Sequence, residues 1–366
     1  MKNRFNIVIL ALVLLTLGCT KTEVADTKEK AVAFQVGSYA PQTKAPEGTA
    51  SIKDVDGINS FRSRGYLHAV GVPGEQAFFG TAGETITYHA GSPATWTPSH
   101  DYFWPKSTGS YVNFISWVGG TPEVNYAKSE ETWNATFAWN NVTVAPTDNL
   151  LWADMAWRYN ANEQTYQFND VQEGVPTLFH HALAQVRFMG RQGKASDGNV
   201  SWTVTVTGLS LAAVKNQGTL SMTNTDPGSK QTKAWTVTNW ATPEEDDEEE
   251  DKSFISIVPD TTPLAVALEA TDKEIIGYKS VLPQDVTNAM VLTVNYKVTT
   301  TYPGKTVTED ASASAALSEF SGAITAWEMN KRYTYTVVIN PDAGIIRIIP
   351  VETDWIDEGE YNLNIE

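Results

Sequence analysis

Residues 31–36 read Ala-Val-Ala-Phe-Gln-Val, and Val32, Phe34 and Val36 take alternate positions. Successive side chains of an extended chain point to opposite faces, so this spacing makes one apolar face and predicts a β-strand. The strand runs into a turn-rich segment, 40–49, which contains Pro41, Pro46, Gly48 and the isolated basic residue Lys44. Beyond it the same kind of run recurs to the C-terminus. Residues 66–72, 111–118, 132–144, 183–189, 201–206, 234–237, 254–258, 264–268, 290–301, 332–339 and 345–351 are rich in β-branched and aromatic residues, with Gly, Pro, Asn and Asp clusters between them. The best helical candidate is 312–320, and a loop fits that stretch nearly as well. Many short strands without intervening helices predict an all-β protein of antiparallel β-sandwiches, two sheets packed face to face. The polar stretch 169–176 separates an aromatic-rich first half from a Thr- and Val-rich second half, which predicts two domains in tandem, 31–172 and 173–366.

Upstream of the first strand the chain carries a secretory signal. Lys2 and Arg4 precede an apolar run, 5–17, which is too short to span a membrane as a stable helix, and Gly18-Cys19 follows it. A small residue directly before the only cysteine is the layout a lipoprotein peptidase cleaves, although Thr16 stands where Leu is usual. Residues 1–18 are therefore read as a signal peptide and Cys19 as the lipidated first residue of an outer-membrane or cell-surface lipoprotein. Residues 19–30 are polar and without period, as a tether between lipid and fold requires. One cysteine permits no intrachain disulfide, so stability outside the cytoplasm must come from packing and sheet hydrogen bonds. The 42% hydrophobic content, with 12 Trp, 14 Tyr and 13 Phe, supplies a large core. A net charge of −17 repels nucleic acid and acidic lipid, which argues against both as partners.

Eight of the acidic residues form one run, 244–251. Adjacent like charges need water, so the run reads as a solvated loop, and it lacks the spaced carboxylates and glycine turn of a calcium site. Motifs for chemistry are missing elsewhere. The five histidines form no His-Glu-x-x-His pattern, and His180-His181 reads as a pair at a core edge. No Gly-x-Ser-x-Gly elbow is present, and Gly304-Lys305-Thr306 lacks the first glycine of a phosphate loop and reads as a hairpin turn. Two carboxylates for glycoside hydrolysis would leave no linear signature, so an enzyme stays as a third reading. The crowded aromatics of the first half, Trp96, Trp104, Trp133 and Trp139 among them, allow a second one, a glycan-binding lipoprotein that stacks sugar rings.

Several segments in order resemble the fimbrillin family of Bacteroidales, the subunits of type V pili. After the lipoprotein signal come the strand 31–39 and then Thr43-Lys44-Ala45. Tyr102-Phe103-Trp104-Pro105 leads to Tyr111-Val-Asn-Phe-Ile115. Leu178-Phe-His-His-Ala-Leu-Ala-Gln-Val-Arg-Phe188 is similar to the strand that opens the family's second domain. Leu282-Pro-Gln284, the run 332–339, the run 345–351 and Asp354-Trp355 complete the series. The resemblance implies two transthyretin-like β-sandwich domains, no catalysis and no cofactor. It also implies assembly by strand exchange. A trypsin-like processing protease would cut between Lys44 and Ala45, with Arg62 and Arg64, the first arginines after the signal, as fallback sites. The cut would free the strand 31–39, and a strand from another pilus subunit would fill the groove it leaves. The donor would come from the C-terminal segment 343–366, with Ile345, Ile346, Ile348, Ile349, Val351 and Trp355 as candidates. The implied destination is the fimbrium, where the subunit supports adhesion to a host or bacterial surface ligand.

Overall fold

Alternating runs of this kind have to pair laterally, and strands supply nearly all of the regular structure. The computed structural model describes residues 31–38, 52, 56–92, 94–128, 133–160, 174–196, 198–225, 232–233, 235–242, 254–255, 264–319, 322–341 and 345–355. Cys19, Lys44, Ala45 and the acidic run 244–251 lie outside the described residues.

Strands of the first half close on themselves. Ser60–His68 pairs with Tyr111–Val118 and with Glu84–His89. The circuit continues from Tyr111–Val118 through Leu151–Ala153, Val175–His181, Phe34–Ser38 and Thr95–Pro98 back to Glu84–His89. Among the described residues this makes a ring of seven strands. Closure leaves the ring without a free edge, and its interior holds Val32, Phe34, Val36, Phe61, Phe114 and Phe179. The other face of Tyr111–Val118, through Ile115 and Trp117, packs on a second sheet in which Trp133–Thr143 is central. Tyr111–Val118 is thus buried on both faces, which is why its sequence is apolar at nearly every position rather than at alternate ones. Seven of the chain's 12 tryptophans lie in this outer core. Trp235 and Trp240 donate their indole N–H to the carbonyls of Ala153 (2.9 Å) and Ala182 (2.7 Å).

The second unit is a sandwich of two four-stranded sheets. One is ordered Lys273–Val281, Ala184–Gln192, Lys331–Asn340, Ile345–Asp354, and the other Val266–Ala267, Ser201–Leu211, Val291–Tyr302, Lys305–Ala316. Val186, Phe188, Tyr333 and Tyr335 meet Val204, Val206, Leu292 and Val294 between them.

Three features depart from the reading of the sequence. Two pairings are parallel, Phe34–Ser38 with Val175–His181 and Ala184–Gln192 with Lys331–Asn340, while the other strand pairs among the described residues are antiparallel. Alternation has the same period for both arrangements, so the sequence carried no sign of this. Second, Val175–His181 and Gln217–Asn224, which lie beyond the expected boundary at 172, pair with strands of the first half. Third, 312–316 continues the strand Lys305–Ala316, and the helical turn is confined to Leu317–Glu319. Full pairing with Val291–Tyr302 overrides the weak helical pattern there. The Tyr302–Lys305 pair closes a two-residue turn at Pro303-Gly304, the hairpin that the sequence suggested.

Candidate functional site

The first strand is one stave of the ring and belongs to it by packing as well as by hydrogen bonds. It pairs in parallel with Val175–His181 over five positions, from Phe34 opposite Val175 to Ser38 opposite Phe179. On its other edge Phe34 stands opposite Trp96. The stretch leading into it is held by Val32 N–H donating to Tyr102 O (2.8 Å), and Val175 N–H donates to Ala33 O (2.7 Å). Val32, Phe34 and Val36, whose alternation marked the strand, point into the ring and are 2%, 3% and 6% exposed. Phe34 meets Phe61 edge-on at 5.5 Å and Phe114 at 5.3 Å, with Phe79 at 6.3 Å. An aromatic side chain buried in this way contributes a few kcal/mol (about 3).

A glycine makes this close approach possible. Gly174, with φ of 123°, precedes Val175, and a Cβ built on it would lie 2.8 Å from the carbonyl carbon of Phe34 and 2.9 Å from the nitrogen of Gln35. Those atoms are backbone and cannot swing aside. Replacing Gly174 by alanine is expected to destabilise the seat of the first strand by about 1–3 kcal/mol, through strained φ and backbone collision. Urea unfolding of the variant checks this, and an unchanged midpoint would show that the two strands are not in close register.

A buried polar cluster lies at the far end of the strand that the first strand covers. His181 stacks on Trp355 at 3.9 Å and 11°, and both side chains are fully buried. His181 Nε2 is 3.5 Å from Asp56 Oδ2, a side chain only 5% exposed, and His181 Nδ1 is 3.3 Å from Asn149 Oδ1. Asn330, at a φ of 64°, ties the same place together by donating to Leu183 O and accepting from Trp355 N–H, both at 3.1 Å. Arg332 lies over the Trp355 ring at 5.5 Å. Burial pushes the Asp56 carboxyl up to about 6, with Asn149, Arg332 and Trp355 opposing it. Burial also holds the His181 imidazole well below its ordinary value, and the Arg332 charge adds to that shift. Histidine at a core edge was the sequence reading of this pair. Asp56 and Asn149 gave no signal there, because their partners are more than 100 residues and about 30 residues away along the chain.

The other sequence candidates fall in different places. Arg62 and Arg64 sit mid-strand in Ser60–His68, Arg62 opposite both Thr85 and Trp117 and Arg64 opposite Ile115. Arg62 donates to Thr85 Oγ1 (2.9 Å) and Ala82 O (2.8 Å), and Arg64 donates to Val124 O (2.8 Å). Ile345, Ile346, Ile348, Ile349 and Val351 lie on Ile345–Asp354, an edge strand paired with Lys331–Asn340 at ten positions. Ile348 is buried and Val351 exposed. Trp96, Trp104 and Trp139 are 5%, 3% and 0% exposed, so they offer no platform for a sugar ring, and the side chain of Trp133 lies outside the described residues. Among the described residues no three His, Cys, Asp or Glu side chains are placed to hold a metal ion.

Residues 71–355 match a family of proteins described as fimbrillin-like. Solved structures similar to this chain include a fimbrial protein from Bacteroides vulgatus, at 14% identity over 89% of this chain and 100% of that chain, with a TM-score of 0.45. Another is the tip fimbrial protein from Porphyromonas gingivalis with a C-terminal truncation, at 10% identity over 89% and 100%, with a TM-score of 0.31. No curated protein matches.

Proposed function

Because the chain belongs to the fimbrillin-like family, we propose that this pilus and adhesion subunit is exported as a lipoprotein on Cys19 and assembles by exchanging its first strand. The observation that carries the reading is the seat of that strand. Val32, Phe34 and Val36 fill the interior of a ring that is otherwise made from residues 60–181. Withdrawal of the strand would leave unpaired N–H and C=O groups along Val175–His181 and an apolar slot where Phe34 had been. Both demand another strand with alternating apolar residues. The sequence after Trp355 has that alternation in Tyr361, Leu363 and Ile365. Since Ile345–Asp354 is paired along its length, the donor would be the part of the 343–366 segment that follows Trp355.

Processing between Lys44 and Ala45 fits the same scheme. A protease binds its substrate as an extended unpaired chain, and Arg62 and Arg64 are locked into a strand with neighbours on both edges. In the sequence Lys44 falls between the first strand and Ser60–His68, so a cut after it would disconnect the strand from the rest of the chain. The lipid on Cys19 would then leave with the strand, and the outer membrane would hold the subunit only until assembly in the fimbrium. Other pilus subunits, the trypsin-like protease and a host or bacterial surface ligand are the partners this scheme calls for.

Protein extracted from the cell surface is expected to begin at Ala45 and to run as a ladder on an unheated gel. Replacing Lys44 by alanine should leave the chain monomeric, with its N-terminus at lipidated Cys19. Monomers that retain Cys19 in the unmodified protein would sink the exchange scheme and leave a non-polymerising adhesion lipoprotein.

A further inference from the structure

The buried cluster brings together three parts of the chain that the proposed assembly uses separately. Asp56 lies in the stretch that follows Lys44, His181 ends the strand on which the first strand lies, and Trp355 directly precedes the segment from which the donor would come. From this convergence we propose that Asp56, His181 and Trp355 form a clasp, which holds the root of the C-terminal segment while the first strand is seated and lets it go when that strand leaves. The inference rests on the strand-exchange reading above and adds to it the means by which one subunit is kept from offering a donor too early.

The pairing pattern supplies the coupling. Val175–His181 is held by the first strand over residues 175–179 and by Leu151–Ala153 over residues 179–181. Outside that overlap, Asp154 N–H donating to Leu178 O (3.1 Å) is a further bond to the strand. Without the first strand, residues 175–178 lose their ladder partner and the apolar contacts of Val36 and Phe34. A strand that has lost its neighbour over most of its length moves more freely, and local opening then costs less than global unfolding. His181 lies at the end of the same strand, and its ring is the flat surface on which Trp355 rests. Movement there separates the stacked pair and withdraws Asn330, which joins Leu183 O to Trp355 N–H. Trp355 is anchored in the core of the first half, although the strand it follows, Ile345–Asp354, belongs to the second unit. The root of the C-terminal segment thus senses the strand that ends at His181 as well as its own sheet.

Hydrogen–deuterium exchange of the full mature chain, before and after cleavage at Lys44, tests the clasp. Amides of 345–355 should exchange slowly in the uncut wild type and about tenfold faster once the first strand has departed. In uncut His181→Ala the same amides should already exchange at the faster rate, while those of 32–38 keep their protection. If His181→Ala loses protection throughout, the closer replacement Asp56→Asn is used, with a rise of a few-fold (about threefold) expected at 345–355 alone. Unchanged exchange at 345–355 in an uncut, folded variant would overturn the clasp. So would unchanged exchange there after mass spectrometry shows that the first strand has gone. If the cut chain keeps its first strand and forms no ladder, the assembly reading fails. The uncut variant then decides the clasp on its own, with a rise at 345–355 supporting it.

Discussion

Replacing Phe34 by alanine is expected to lower the stability of the uncut chain by about 3–5 kcal/mol, the usual range for deleting a phenyl ring from a packed core. Phe34 is 3% exposed and touches Phe61, Phe79 and Phe114, so truncation leaves a hole walled in part by Phe61 and Phe114, which belong to separate strands of a closed ring. Such walls cannot collapse inward without shifting the hydrogen-bond register of their neighbours, which places this site towards the costly end of the range. The loss has a ceiling, because a chain that holds the strand too weakly will leave the groove empty while the remainder stays folded. Urea unfolding followed by tryptophan fluorescence measures the global change, and proteolysis within 31–38 detects the empty groove. A loss below about 1 kcal/mol with no gain in proteolysis would show that the strand is seated by its backbone bonds, and that the apolar slot is not what a donor must fill.

Replacing Asp56 by asparagine is expected to make a protein that tolerates mild acid become sensitive to it. In the wild type two shifts oppose each other. Asp56 has a folded value of about 6, above its ordinary value of 3.8, so its contribution to stability is present at low pH and is lost as pH rises through 6. His181 is lowered when folded, so its contribution is present above the ordinary 6.5 and is lost as pH falls below that. Below about pH 6, for as long as the folded chain keeps His181 neutral, the folded chain carries a proton on Asp56 and the unfolded chain carries one on His181. The number of bound protons is then the same in both states, and the pair gives stability no slope with pH. Asparagine removes the folded-state proton and leaves the unfolded-state one. Stability of the variant should fall as pH drops below 6.5, with a slope of up to about 1.4 kcal/mol per pH unit for the one proton, while the wild type changes less over the same window. Thermal unfolding at pH 7, 6 and 5 measures this, with His180, Arg332 and Asn149 as the other groups facing the pair. Parallel pH profiles for the two proteins would mean that Asp56 is ionised when folded and that the cluster has a different geometry.

Much of the fold is legible in the amino-acid sequence. The alternation of Val32, Phe34 and Val36 identified the first strand and the face it buries, since a period of two is a local property of extended chain. The hairpin at Pro303-Gly304 was equally local. Three aromatics of the glycan reading went unrecognised as core for a related reason. Trp96, Trp104 and Trp139 are what a sugar platform and a buried core would both contain, and composition does not distinguish an exposed ring from a buried one.

By itself the amino-acid sequence determined that this chain forms many strands, that its first strand carries a buried face, and that it resembles the fimbrillin family, a likeness the match over 71–355 bears out. The tertiary structure alone decided that Phe34–Ser38 lies parallel to Val175–His181 within a closed ring, and that Asp56, Asn149, His181, Asn330 and Trp355 meet. The physical reason is range. Side-chain alternation, turn chemistry and charge runs act over a few residues and leave a mark in the chain. Ring closure and a buried polar cluster join residues scores to hundreds of positions apart, and such contacts leave no local pattern until the fold has brought them together.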